Sequence, residues 1–159
     1  MSRPTTPKTD YLSISDVSEL INALEEMIKD SPAIQPTSEL SSFSVGRIPK
    51  IKLDTYFQRM IKYCKLEVGT YIALMIYLDK AAESIHLTGY NIHRIILAAM
   101  VAAIKYTCDL TNNNAYYAKV GGISVDEMNL VETSFLVLLD YNLYISSEEY
   151  EKYSSFIRS

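Results

Sequence analysis

Few side chains in this sequence stand where they could do chemistry, and the two most conspicuous are a lysine and a glutamate. Lys105 closes the run Ile95 to Ile104, which carries no polar side chain, and Glu132 sits inside LVETSFLVLL. Each charge has two readings. It can lie at a helix edge, its stem along hydrocarbon and its head in water. Alternatively, the two form a pair displayed on an apolar patch, with donors and acceptors to offer a partner's backbone. The histidines, His86 and His93, have no second ligand at a metal-binding spacing. The two cysteines, Cys64 and Cys108, are too far apart for a metal or redox motif and read as small core hydrophobes of a reducing compartment. No phosphate-binding loop or dinucleotide fingerprint is present, since Gly121-Gly122 alone is neither. No nucleophile stands beside a base. The residues therefore predict no catalytic group, no cofactor and no metal, and they point to binding.

The elements that would position these charges read as helices. All five prolines, Pro4, Pro7, Pro32, Pro36 and Pro49, precede residue 50. A proline inside a helix costs about 3 kcal/mol, so the proline-free remainder is permissive for helix. Residues 1–14 are polar and read as a flexible tail. A first helix over Ser15 to Lys29 places Val17, Leu20, Ile21, Leu24, Met27 and Ile28 on one face. A Ser- and Pro-bearing linker follows over 31–47.

Beyond it, a second helix spans Asp54 to Lys65, with a stripe of Leu53, Tyr56, Phe57, Met60, Ile61 and Cys64. Gly69 is read as a break before a third helix, Thr70 to Ser84, and Gly89 as a break after it. The fourth helix, Asn91 to Cys108, is apolar all round, the mark of a helix surrounded by others. Its alanines, Ala98, Ala99, Ala102 and Ala103, allow neighbours to approach closely. A short helix over Asn114 to Lys119 precedes Gly121-Gly122. Ser124 with Glu127 forms a capping box, with Ile123 and Met128 as its hydrophobic staple. That helix runs to Tyr141 and buries Met128, Val131, Phe135, Leu138 and Leu139. A second box, Ser146 with Glu149, starts a C-terminal helix over 146–159. The expected architecture is an all-α, five-helix bundle around a central apolar helix, flanked by N- and C-terminal helices.

Bulk properties narrow the partners. The 159 residues are 48% hydrophobic and 21% charged, with a formal net charge of -4, so no basic surface for nucleic acid is expected. No signal-peptide profile and no apolar run of transmembrane length occurs, which predicts an intracellular protein that does not insert in a membrane.

Residues 48–157 resemble a cyclin box of the P and U type, the group related to the yeast phosphate-response cyclin. The resemblance lies in Ile51 to Tyr63 (IKLDTYFQRMIKY), Ile76 to Asp79 (IYLD), Asn91 to Arg94 (NIHR) and Ala102 to Asp109 (AAIKYTCD). It continues through Asn113 to Ile123 (NNAYYAKVGGI) and Glu127 to Leu136 (EMNLVETSFL). It implies a single cyclin box over 48–145 and a non-catalytic subunit that binds and activates a cyclin-dependent kinase. Such a subunit is a monomer when free, a heterodimer with the kinase, and resident in nucleus, cytoplasm or both. Lys105 and Glu132 match the family's lysine and glutamate that bond backbone beside the kinase C helix, with Tyr106, Phe135 and Leu136 as apolar neighbours. Asp109 is placed to face the kinase activation loop, or else caps a turn with Asn112 to Asn114.

The resemblance also has gaps. The Met-Arg-x-Ile-Leu helix and the tryptophan that cell-cycle cyclins use for substrate docking are missing, with Met60 in that region, and no second box follows Tyr144. Thr6-Pro7 and Ser31-Pro32 fit a minimal proline-directed kinase site. Two other readings remain open from the residues: a cyclin-fold adaptor that binds no kinase, and a small helical enzyme using carboxylates.

Overall fold

The central helix of the computed structural model is the one that the sequence leaves without a polar face. The structure describes residues 14–29 and 42–158, and these hold seven helices. They are α1 (Ile14–Lys29), α2 (Leu53–Cys64), α3 (Val68–Ser84), α4 (Ile92–Thr107), α5 (Asn114–Gly121), α6 (Val125–Leu138) and α7 (Ser147–Arg158). Most of the expected tail and linker, with Thr6-Pro7 and Ser31-Pro32, lies outside the described residues.

Every residue of α4 from Ile95 to Ile104 is buried. Complete burial of each large aliphatic side chain there contributes about 1.5–3 kcal/mol. α4 packs chiefly on α3 and α6, and the four alanines sit at 4% exposure or less, so those neighbours approach its backbone closely. α5 packs on α6 and α2, α1 lies on α2, and α7 lies on α3. The fold is thus the expected five-helix bundle, α2 to α6, with one flanking helix at either end.

Several boundaries differ from the sequence reading. Gly69 does not break the chain; it lies in the first turn of α3. The first four N–H groups of a helix lack internal partners in any case, so a glycine weakens little there. A Cβ added at this glycine would meet the hydroxyl of Tyr150 on α7 at an ordinary contact distance. Met27 was expected on the buried face of α1 but is exposed. The seam Val17, Ile21 and Leu24, continued by the half-buried Leu20 and Ile28, meets the bundle, and Met27 flanks that seam. α6 stops at Leu138 rather than Tyr141, because Asp140 and Tyr141 both adopt left-handed backbone at φ 55°. The amide of Tyr141 donates to the carbonyl of Leu136 at 2.8 Å and closes the end. Leu138 is only partly buried, whereas Met128, Val131, Phe135 and Leu139 are buried as expected.

The caps hold the bundle's turns. Ser124 accepts a hydrogen bond from the amide of Glu127 at 3.1 Å, and Ser146 accepts one from Glu149 at 3.1 Å. Asn113 accepts from the amide of Tyr116 at 3.0 Å and so caps α5. At the other end of α5, the amides of Gly122 and Ile123 donate to the carbonyls of Lys119 and Ala118. This C-terminal motif needs a left-handed residue, and Gly122 supplies it at φ 71°. Asn91, itself buried, braces the entry to α4 by accepting from the amide of Thr88 at 2.8 Å and donating to the carbonyl of His86 at 2.9 Å.

Candidate functional site

Lys105 lies in the last turn of α4, where the helix dipole favours a cation. Its ammonium is 2.7 Å from Glu132 Oε2 on α6 and donates to Asn114 Oδ1, at the start of α5, at 2.7 Å. The Asn114 amide donates in turn to Glu132 Oε1 at 3.2 Å and to Asn129 Oδ1 at 2.7 Å. Lys105, Asn114 and Glu132, from three helices, therefore close on one another, and Asn129 is bonded to Asn114. The lysine side chain is 37% exposed and the glutamate 18%. An ammonium has three donors, and two of them are used here. The third remains available at the surface. Among the described residues, Glu132 Oε2 is held by the lysine alone.

This surface is also apolar. Tyr106 is 48% exposed, and Leu110, just past the end of α4, is 93% exposed. Leu136, four residues after Glu132 on the same helix face, is half-buried, whereas the exposed Leu130 and Val137 lie two and five residues from Glu132 and so on another side of α6. Asp109 is exposed and makes no hydrogen bond or ion pair to another described residue, so its alternative reading as a turn cap is not met.

Phe135 does not belong to this surface. It is fully buried and meets Phe43 edge to face, with ring centroids 6.5 Å apart. It lies three residues from Glu132, on the side of α6 turned towards α4, and it supports the surface from beneath instead of presenting itself to a partner.

Of the predicted residues, the structure brings Lys105 and Glu132 together, leaves Tyr106, Leu136 and Asp109 accessible around or beside them, and withdraws Phe135. Sequence reading gave no role to Asn114 and Asn129, which complete the network. Asn129 stands three residues before Glu132, a same-face spacing that could have signalled it. Asn114 reaches the network only through the fold.

A second polar cluster lies towards the start of α4. Arg94 is 3.1 Å from Glu127 Oε2 and also donates to the carbonyl of Ser42 at 3.4 Å. Glu127 thus turns to Arg94, and only the serine half of the predicted capping box forms. His93 Nε2 is 2.9 Å from the carbonyl of Ile51, and the ring stands edge-on to Tyr56 at 5.1 Å. With Nε2 donating to that carbonyl, Nδ1 is a bare acceptor. Burial holds the imidazole below its ordinary range, partly opposed by the Ile51 carbonyl. Burial likewise pushes the hydroxyl of Tyr56 up to about 12 against the nearby Arg59 and Arg94 charges, and that hydroxyl donates to the carbonyl of Gly121 at 3.0 Å.

Among the described residues, no group of three or more His, Cys, Asp or Glu could hold a metal ion, and no helix is long and apolar enough to cross a membrane.

The family model described as Cyclin matches residues 5–143. The chain is 34% identical to the PHO85 cyclin-like protein psl1 of Schizosaccharomyces pombe, over 92% of this chain and 63% of that protein. It is 33% identical to Cyclin-U4-2 of Arabidopsis thaliana, over 89% of this chain and 68% of that protein. It is 28% identical to PHO85 cyclin-7 of Saccharomyces cerevisiae, over 84% of this chain and 52% of that protein. The chain thus spans about half to two-thirds of the length of these relatives.

Proposed function

Because the chain belongs to the cyclin family, whose members are regulatory subunits and not enzymes, we propose that it binds and activates a cyclin-dependent serine/threonine protein kinase through the surface around Lys105 and Glu132. The observation that carries the reading is the pair itself. A charge pair partly withdrawn from water normally satisfies itself within the protein. This one stands at the border of an exposed apolar patch with an ammonium donor still available.

The mechanism is positional. In a kinase whose C helix is turned outward, the helix glutamate cannot pair with the lysine that orients ATP. Lys105 and Glu132 bond backbone groups beside that helix, and Tyr106 and Leu136 cover its apolar side. The subunit binds the inward state better and so draws the population towards it. A change from 1:99 to 99:1 needs about 5.5 kcal/mol of differential binding. Asp109, unpaired among the described residues, faces the activation loop and attracts a basic residue there. The names of two relatives, both PHO85 cyclins or cyclin-like, support a partner kinase of that kind for this chain.

The test is capture of a purified kinase of the PHO85 type by the wild type and by a Lys105→Ala/Glu132→Ala variant shown by circular dichroism to keep its helices. Active kinase with the wild type alone is the expected result. Equal capture by both proteins would displace the interface from this surface, and capture by neither would overturn the function.

A further inference from the structure

Four tyrosines are buried among the described residues, and three of them have a partner for the hydroxyl. Tyr56 donates to the carbonyl of Gly121 at 3.0 Å, Tyr77 donates to that of Leu143 at 2.8 Å, and Tyr117 accepts from the amide of Asn112 at 3.1 Å. Tyr71 is the fourth. It is 2% exposed, yet its hydroxyl makes no hydrogen bond to a described residue. A buried phenol normally finds a partner, so this one calls for a physical reason.

Tyr71 lines a cleft of about 370 Å³ between the start of α1, the first turns of α3 and the end of α7. Asp16 and Glu19 stand on the α1 wall, and no described lysine, arginine or histidine lines the cleft. Leu20, Met75 and Ile157 give it a half-buried apolar lining, and the exposed Phe156 adds a ring. Burial, then the charges of Asp16 and Glu19, hold the Tyr71 hydroxyl above its ordinary range. Both carboxylates therefore lie within electrostatic reach of that hydroxyl, which stays neutral. This set excludes several ligands. An anion would be repelled by two carboxylates. A metal ion would find too few oxygens, and no third Asp, Glu, His or Cys joins them among the described residues. A purely apolar ligand would leave the phenol without a partner.

We propose that the cleft between α1, α3 and α7 binds an organic cation, a guanidinium on a short aliphatic stem. The head group donates to Glu19 and to the lone pairs of the Tyr71 hydroxyl. Asp16 has another partner and contributes its charge. The stem lies along Leu20, Met75 and Ile157, as the stem of a long cationic side chain does on hydrocarbon. A guanidinium suits the site better than an ammonium. It is planar, offers several donors at fixed angles, is weakly hydrated and stacks on an aromatic ring, which Phe156 supplies. Neither Lys105 nor Glu132 lines this cleft. The inference stands whether or not a kinase binds at that pair.

Methyl NMR of the full chain labelled at its methionine methyl groups tests it, because Met75 lines the cleft. The probe is butylguanidinium, beside pentanoate and pentanol as an anion and a neutral molecule of similar length. Butylguanidinium should shift the Met75 signal saturably, and less tightly as salt rises; the other two should not. Glu19→Gln, at an exposed position, should weaken binding by about tenfold, the scale of one lost charge-assisted pair. Tyr71→Phe should weaken it by about fivefold, the scale of one hydrogen bond. The same variant should keep or gain stability in urea, because its hydroxyl has no bond to a described residue to lose; a merely structural role for the hydroxyl would predict a loss. N-acetyl-arginine methylamide separates two sources of the same chemistry. Binding at least as tight as that of butylguanidinium assigns the cleft to an arginine of a protein partner, and weaker binding assigns it to a free small cation. Absence of a saturable Met75 shift, an equal shift by pentanol, unchanged affinity in Glu19→Gln or in Tyr71→Phe, or lost stability in Tyr71→Phe would each overturn the inference.

Discussion

Leu97, on the buried central helix, closes on Gly121 so tightly that a Cβ built on the glycine would overlap the leucine's Cδ atoms. Gly121 ends α5, and its contact with α4 is what lets the short helix sit against the core. The glycine pair therefore divides two tasks: Gly121 permits close approach, and Gly122 supplies the left-handed turn.

Gly121→Ala should consequently destabilise the protein by about 1–3 kcal/mol, the usual cost of forcing a methyl group into a packed interior. Gly122→Ala should cost about 1 kcal/mol, through backbone strain alone. Urea denaturation followed by circular dichroism checks both. Combining Gly121→Ala with Leu97→Ala should recover part of the first loss, since the methyl then has room, whereas Gly122→Ala should gain nothing from the same partner.

Cys64 is held in a half-buried site on α2, where burial pushes its thiol up from 9.0 to about 12. Its thiolate fraction near neutral pH is then roughly a thousand-fold below that of a free cysteine, and the thiolate is the nucleophile. Iodoacetamide at pH 8 should leave Cys64 unmodified in the folded protein and alkylate it readily in urea. Peptide mass analysis reads the difference, and rapid labelling of Cys64 in the native protein would contradict the assigned burial.

His93 should make stability depend on pH. Its folded value is depressed below the ordinary 6.5, chiefly by burial, with Arg59, Arg94, Tyr56 and Glu127 lining the cleft that holds the ring. The unfolded chain then takes up a proton at a higher pH than the folded one does. The contribution is fully present above 6.5 and is lost as pH falls below it, until the buried ring itself is protonated. His93→Gln keeps a donor for the Ile51 carbonyl but cannot titrate. The fall in unfolding free energy between pH 7.5 and 5.5 should be smaller in this variant than in the wild type, and an equal fall in both would rule out the role.

Much of the fold was legible because its signals are local. An unbroken apolar run marks α4, and serine followed three residues later by glutamate marks the starts of α6 and α7. What misled was equally local. Gly69 looks like a break in sequence, but the first turn of a helix tolerates glycine. Phe135 looks like a neighbour of Glu132, but a three-residue step on a helix can lead from the rim to the core. The site was half legible for the same reason. Lys105 and Glu132 stand out against apolar surroundings, whereas Asn114, Tyr71 and the Arg94–Glu127 pair gain meaning only from contacts between segments distant in the chain.

The closed ring of Lys105, Asn114 and Glu132 sets the timing of binding. A free lysine side chain samples many rotamers, and fixing them costs up to about 2 kcal/mol of conformational entropy. Here the stem is already anchored at two points before any partner arrives. That entropy is lost when the chain folds, so an incoming partner meets a charge already aimed and gives up less of its own interaction energy to orient it.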